Sequence, residues 1–349
     1  MAARILVNPR RSLGTTLKYL LQCAAVKSCQ SVSWDTFLSG EHRAPRLLQI
    51  DTCQAYPLTY RSSLALTLAR SGGNSPQHLA EAIRRGLVAL TPPHLSELDQ
   101  ALELSIVEPS IDWLLPYIAV SMESADPCKE RKGGGEWIDV SISAAGVARW
   151  LEQQLWTPGL GSSPLRASND LGSGEIGFSV VHAYARCCTI LRLARENGLV
   201  SQSDTRQRLS TGSIGKKVGN AARSIPWLRG DRLWSRGEIR QALLLNLIRS
   251  LDRSAEAEIA HRSRTRHARA LRRVYNQGLV EVSNAFYAFH AVSRPLVQTC
   301  SENIDPIDAA SDLSLDRLNA QADLGLMAVT QRVLAQLFCG LGLVPPVTL

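Results

Sequence analysis

Residues Thr157–Gly174, TPGLGSSPLRASNDLGSG, do more than any other stretch to limit how this chain can fold. Glycine, serine and proline recur there without an apolar period, so the segment has little to bury and reads as a linker. The cores must form on either side of it. Residues 1–156 and 175–349 are each long enough for a domain of ordinary size.

The front part mixes periods. Leu13, Leu17, Leu20, Leu21 and Ala24 make a helical stripe, and Leu47–Ile50 is a candidate strand. Tyr60–Arg70 reads as a helix stopped at Gly72-Gly73. Ser75-Pro76 then supplies an N-cap and a first-turn proline for a helix over Pro76–Leu90, ended by Pro92-Pro93. Between Ser105 and Glu136 prolines and glycines leave mostly short apolar runs. Trp137–Ile142 alternates as a half-buried strand does, and Ala144–Trp156 is helical.

After the linker nearly every periodic segment has the helical spacing. Val180–Asn197 carries an apolar stripe of Val180, Tyr184, Cys187, Cys188 and Leu191, with His182, Arg186 and Thr189 opposite. Ser201–Trp234 reads as irregular and basic. Arg236–Leu251, Glu256–Arg273, Gln277–Val292 and Leu315–Gly340 are expected to complete a bundle. The expected fold class is α+β: a small N-terminal α/β domain over 1–156, the linker, then an all-α domain over 175–349. No repeat of twenty to fifty residues is present.

Within Tyr275–Pro295, Leu279, Val282, Phe286, Phe289 and Ser293 form a core-seeking face. Tyr287, His290 and Arg294 share its flank. Such an edge is either ordinary polar surface or a place to stack and hydrogen-bond a flat anionic ligand. Charge bears on that choice. The chain has a net charge of +8. From Val180 to Cys300 there are 21 Arg and Lys against 8 Asp and Glu, an excess of +13 that leaves −5 elsewhere. A basic second half suggests a polyanion partner. Arg262, Arg266, Arg269 and Arg273 fall on one face of the helix expected over Glu256–Arg273, where they could follow a phosphate backbone.

Several chemistries find no motif. The eight cysteines form no CxxC pair or metal-like cluster with histidine and are expected to be free thiols of a reducing cytoplasm. No signal peptide or membrane-spanning run is read. GSIGKKVG at Gly212–Gly219 fails as a phosphate loop, because Ser210 stands for the first glycine and Lys217 for the Ser/Thr. There is no GxSxG, HExxH or GxGxxG. The expectation is a non-catalytic protein with no cofactor and no metal.

Particular strings resemble a known family. VVHAYARCCTILRLA at Val180–Ala194 resembles the start of the anticodon-binding (DALR) domain of arginyl-tRNA synthetases. LVEVSNAFYAFHAVSRP at Leu279–Pro295 resembles a later helix of that domain, and RLNAQADLGLMAVTQRVLAQLFCGLGLVPP at Arg317–Pro346 its closing helix. YRSSLALTLARSGGNSPQHLAEAIRRGL at Tyr60–Leu87 and GEWIDVSISAAGVARWLEQQL at Gly135–Leu155 are similar to the same family's N-terminal additional domain, with Trp137 for Phe and Asp139 for Asn. The intervening catalytic domain has no counterpart. No histidine opens a His-x-Gly-His motif, there is no Lys-Met-Ser-Lys-like loop, and 157–174 is too short to hold such a domain.

The resemblance implies a tRNA-binding protein, for arginine tRNA, made of the synthetase's tRNA-contacting parts. The N-terminal domain would meet the tRNA elbow and the helical domain the anticodon arm. His182, Arg186, Arg262, Arg266, Arg269, Arg273, Tyr287, His290 and Arg294 are its candidate RNA contacts, and Tyr184, Phe286 and Phe289 are expected in the core. Two alternatives stand beside it: an accessory subunit of a split arginine–tRNA ligase, and an interaction scaffold that has lost RNA binding. A tRNA-modifying enzyme or a synthetase chain is the protein partner such readings imply.

Overall fold

A computed structural model describes residues 12–28, 47–50, 58–72, 74–91, 111–123, 137–156, 176–196, 225–234, 237–263, 268–299 and 312–345. The fold class is α+β, a small sheet towards the N-terminus followed by helices. The chain divides into two compact units. One holds the described residues within Met1–Val147 and Ala255–Arg266, the other those within Ala148–Ser254 and His267–Leu349. The change from the first to the second falls inside the helix Ala144–Trp156, ahead of the Gly/Ser/Pro stretch, which lies outside the described residues.

Among the described residues the first unit holds a four-stranded antiparallel sheet, three whole α-helices, and the parts of two further helices that fall within it. Helix α1 (Leu13–Ser28) buries Leu13, Leu17, Leu20, Leu21 and Ala24, the stripe its spacing predicts. Strands β1 (Leu47–Ile50), β2 (Leu58–Ser62), β3 (Ile118–Glu123) and β4 (Trp137–Ile142) lie in the order β1-β2-β4-β3. Between β2 and β3 come helices α2 (Leu64–Gly72) and α3 (Pro76–Val88), and a 3-10 helix over Ile111–Tyr117 leads into β3.

Two expectations need correction here. Tyr60–Ser62 is strand, not helix. Leu58, Tyr60 and Ser62 alternate into the core, and β2 satisfies its backbone on β1 and β4 at once. Ser62 Oγ then accepts from the Leu64 N–H at 3.2 Å, so the helix starts four residues late. The second correction is β3 itself, a strand for which no element is expected in a stretch of mostly short apolar runs. It forms an edge of the sheet, with Val120 opposite Val140 of β4.

One face of β4 is apolar, with Ile138, Val140 and Ile142 buried. Arg61 and Asp139 are directly opposed across β2 and β4 and join bidentately at 2.8 and 2.7 Å. Helix α3 packs chiefly on α1. A Cβ added at Gly86 would fall 2.5 Å from the Ala24 carbonyl oxygen, so the two backbones approach through that glycine. Ser75 stands at the N-cap of α3 without a side-chain cap bond, and Pro76 removes one N–H that would need one. Lys18 of α1 pairs with Glu256.

The second unit holds the C-terminal part of α4 (Ala144–Trp156), then α5 (Phe178–Glu196), most of α6 (Glu238–Ser263), α7 (Ala268–Thr299) and α8 (Asp312–Gly340). Helix α8 packs on both α5 and α7. Tyr184 of α5 meets Phe338 of α8 edge to face at 5.9 Å. Leu279, Val282, Phe286 and Phe289 of α7 are all buried, as the spacing predicts. Helix α8 ends in a Schellman motif. Leu343 N–H bonds the Phe338 carbonyl and Gly342 N–H that of Cys339, with Gly342 at φ 75°.

The region 201–234 was expected to be irregular, yet its described end is a hairpin. Strands β5 (Leu228–Arg229) and β6 (Arg232–Leu233) turn through Gly230 at φ 61°. Trp227 is buried there. A Cβ at Gly325 of α8 would strike its ring at 2.7 Å, so that glycine makes room for the indole. Arg240 joins Asp323 bidentately at 2.8 and 2.7 Å and lies 5.9 Å from the centre of the Trp234 ring.

Candidate nucleic-acid interface

Helix α5 repeats side chains every four residues along one flank: Phe178, His182 and Arg186. Helix α7 sets Tyr287 and, three residues on, His290 along one flank. Each flank borders a stripe that its helix buries: Val180, Tyr184, Cys187 and Leu191 on α5, and Leu279, Val282, Phe286 and Phe289 on α7. The helices pack on each other. With both stripes turned into a shared core, the two flanks meet, although about a hundred residues separate them in sequence.

The meeting is specific. The Tyr287 hydroxyl donates to the Ser179 carbonyl at 2.8 Å. A phenol has one proton, so its oxygen must accept from His182 Nδ1–H at 2.9 Å. In its neutral form the His182 ring therefore carries its proton on Nδ1. Its Nε2 is left as an acceptor with no partner among the described residues. Arg186 Nε–H donates to His290 Nε2 at 3.5 Å, a long bond that makes that nitrogen the acceptor.

The rings are arranged in sequence as well. Phe178 and His182 have centroids 5.7 Å apart at 31°, and His182 and Tyr287 6.0 Å apart at 17°. His290 lies 5.7 Å from Phe286. Phe178 is 74% exposed, while His182, Arg186, Tyr287 and His290 are half-buried.

Burial, with Cys187 nearby, holds the Tyr287 phenol above its ordinary value. Burial and then Cys188 hold the Cys187 thiol well above its own, and burial pushes Tyr184 up to about 12. All three stay protonated at neutral pH, so none sets a negative charge beside Arg186.

The other candidates are placed less closely. Arg269 and Arg273 are exposed on the first turns of α7. At 1.5 Å per residue they lie roughly 27 and 21 Å along the axis from Tyr287, and at 100° per residue they share its side of the helix. Arg262 is in the last turn of α6 and Arg294 in α7, but neither side chain is described, and Arg266 lies outside the described residues. The single helix expected over Glu256–Arg273 is not what forms. Helix α6 ends at Ser263 and α7 begins at Ala268. Arg262 therefore belongs to one helix, and Arg269 and Arg273 to another. Gly212–Gly219 also lies outside the described residues.

Phe178 and the Ser179 carbonyl escaped the sequence reading. The signal for Phe178 was its place four residues before His182, on the same flank. Thr189 continues that flank, but its hydroxyl is turned back on the Ala185 carbonyl at 3.0 Å.

Among the described residues no group of three or more His, Cys, Asp or Glu is placed to hold a metal ion, and no helix is long and apolar enough to cross a membrane. No protein-family model matches the chain, and no curated protein or solved structure matches it.

Proposed function

We propose that the chain is a non-catalytic tRNA-binding protein, acting on arginine tRNA, whose helical unit receives an unpaired loop. The observation that supports this best is the convergence of the α5 and α7 flanks into one cluster of ring faces, guanidinium and imidazole. An unstacked loop is bound by those groups: bases stack on aromatic rings and guanidinium groups hold phosphates. The +13 excess over 180–300 favours a polyanion, and Arg269 and Arg273 extend the basic surface along α7. The choice of arginine tRNA rests on the sequence resemblance alone.

The test is retention of total tRNA on the purified chain at two salt concentrations, with sequencing of the bound fraction. The expected result is enrichment of arginine tRNA and retention that falls as salt rises, because each phosphate contact releases a counterion. Absence of retention, or retention with no salt slope, refutes the proposal. Enrichment of other tRNAs refutes only the choice of arginine tRNA.

A further inference from the structure

We propose that the exposed ring of Phe178 is the stacking face for one unpaired base, and that Tyr287 is a positioning residue holding that face in place; this rests on the RNA-binding reading above. A phenyl ring at 74% exposure on the first residue of a helix contributes little to the fold. Its neighbours are nevertheless ordered around it. His182 tilts against it at 5.7 Å, and the Tyr287 hydroxyl grips the same helical turn through Ser179 and His182. The ring is thus exposed but backed, as a stacking platform has to be. A base has a π-face whatever its identity, so this contact adds affinity without reading sequence. Arg186, about two turns or roughly 12 Å further along α5, is placed for a phosphate of a neighbouring nucleotide.

An alternative occupant of an exposed phenyl ring is another protein surface. The charge of this part of the chain favours nucleic acid, and the substitutions below separate the two. A ring stacked on a base needs a π-face, whereas an apolar docking pocket needs only area.

The probe is an arginine-tRNA anticodon stem-loop carrying 2-aminopurine at each loop position in turn, with a blunt RNA duplex as control. The expected result is quenching at one loop position and none in the duplex. Phe178→Ala should weaken binding by about 5- to 150-fold with the salt slope unchanged. Phe178→Leu should lose nearly as much, and Phe178→Trp should bind at least as well as the native chain. Tyr287→Phe keeps its ring but loses both hydrogen bonds. It should give a several-fold loss with weaker quenching at the same position, and an unfolding temperature lowered by only a few degrees, as the loss of two hydrogen bonds requires. Circular dichroism verifies the helical content of every variant.

If the native chain retains no tRNA, the tRNA reading itself fails. If tRNA is retained but the stem-loop is not, or if Phe178→Ala binds as the native chain does, only the present inference is overturned. Phe178→Leu equal to the native chain overturns it as well. So does self-association that Phe178→Ala abolishes while RNA affinity stays the same.

Discussion

Arg240→Met should destabilise the helical unit strongly at neutral pH and weakly in mild acid. Asp323 is 2% exposed, and its bidentate partner at 2.8 and 2.7 Å is the Arg240 guanidinium. Burial raises the Asp323 carboxyl above its ordinary value of 3.8, and Arg240 pulls it partly back. The native state therefore keeps this proton at pH values where the unfolded chain has lost it. Stability falls as pH rises from 3.8 through the native value, then levels off. Methionine removes both lowering influences, so the native value climbs further and the falling limb extends upward.

A proton held only by the native state costs about 1.4 kcal/mol per pH unit. Between pH 4.5 and 7.5 a carboxyl that stays protonated in the variant costs up to about 4 kcal/mol, and the native chain, whose carboxyl ionises earlier, shares only part of that loss. That agrees with the roughly 3–5 kcal/mol expected when one partner of a buried ion pair is removed. The expected destabilisation is thus about 3–5 kcal/mol at pH 7.5 and clearly smaller at pH 4.5. Urea unfolding followed by far-ultraviolet circular dichroism at both pH values measures it. Arg240→Met/Asp323→Leu should recover most of the loss, since an apolar pair leaves no buried charge. Equal destabilisation at the two pH values, or a double variant no better than the single one, would refute the reasoning. The pair matters to the site because α8, which carries Asp323, packs against both α5 and α7.

In the sheet unit, Gly86→Ala should lower stability by about 1–3 kcal/mol, because its Cβ meets the Ala24 carbonyl backbone at 2.5 Å; thermal unfolding reports it. Arg61→Met should cost more than Asp139→Asn. It strands a carboxylate that is 4% exposed, whereas the amide still hydrogen-bonds a guanidinium that reaches solvent; the same unfolding assay ranks the two. Arg269→Ala and Arg273→Ala should each weaken tRNA binding similarly across sequences and lower the salt slope by about 1, measured by salt titration. Among the described cysteines, half-buried Cys188 and Cys339 should alkylate before Cys23 and Cys187 at neutral pH, read by mass spectrometry of peptides. Burial pushes the Cys23 thiol up to about 12 and the Cys187 thiol well above its ordinary value, which keeps both from forming thiolate.

Local period was enough to place α1, β4, α4 and α5 close to where they lie, because each buries a face that its own spacing defines. It failed where partners decide. Tyr60 has helical neighbours in sequence, yet β1 and β4 both offer hydrogen bonds to its segment, and two ladders outweigh one local turn. The arginines from 262 to 273 keep helical spacing across a place where one helix ends and another begins, and spacing alone does not reveal such a break. The candidate site divides along the same line. That His182 and Arg186 share one flank, and Tyr287 and His290 another, follows from the number of residues per turn. That the flanks touch depends on how α5 and α7 turn their apolar stripes into one core. Phe178 could have been added to its flank by the same counting. Its exposure could not, because at the first turn of a helix an aromatic ring can fold inward or stay out, and only the packing of the bundle decides which.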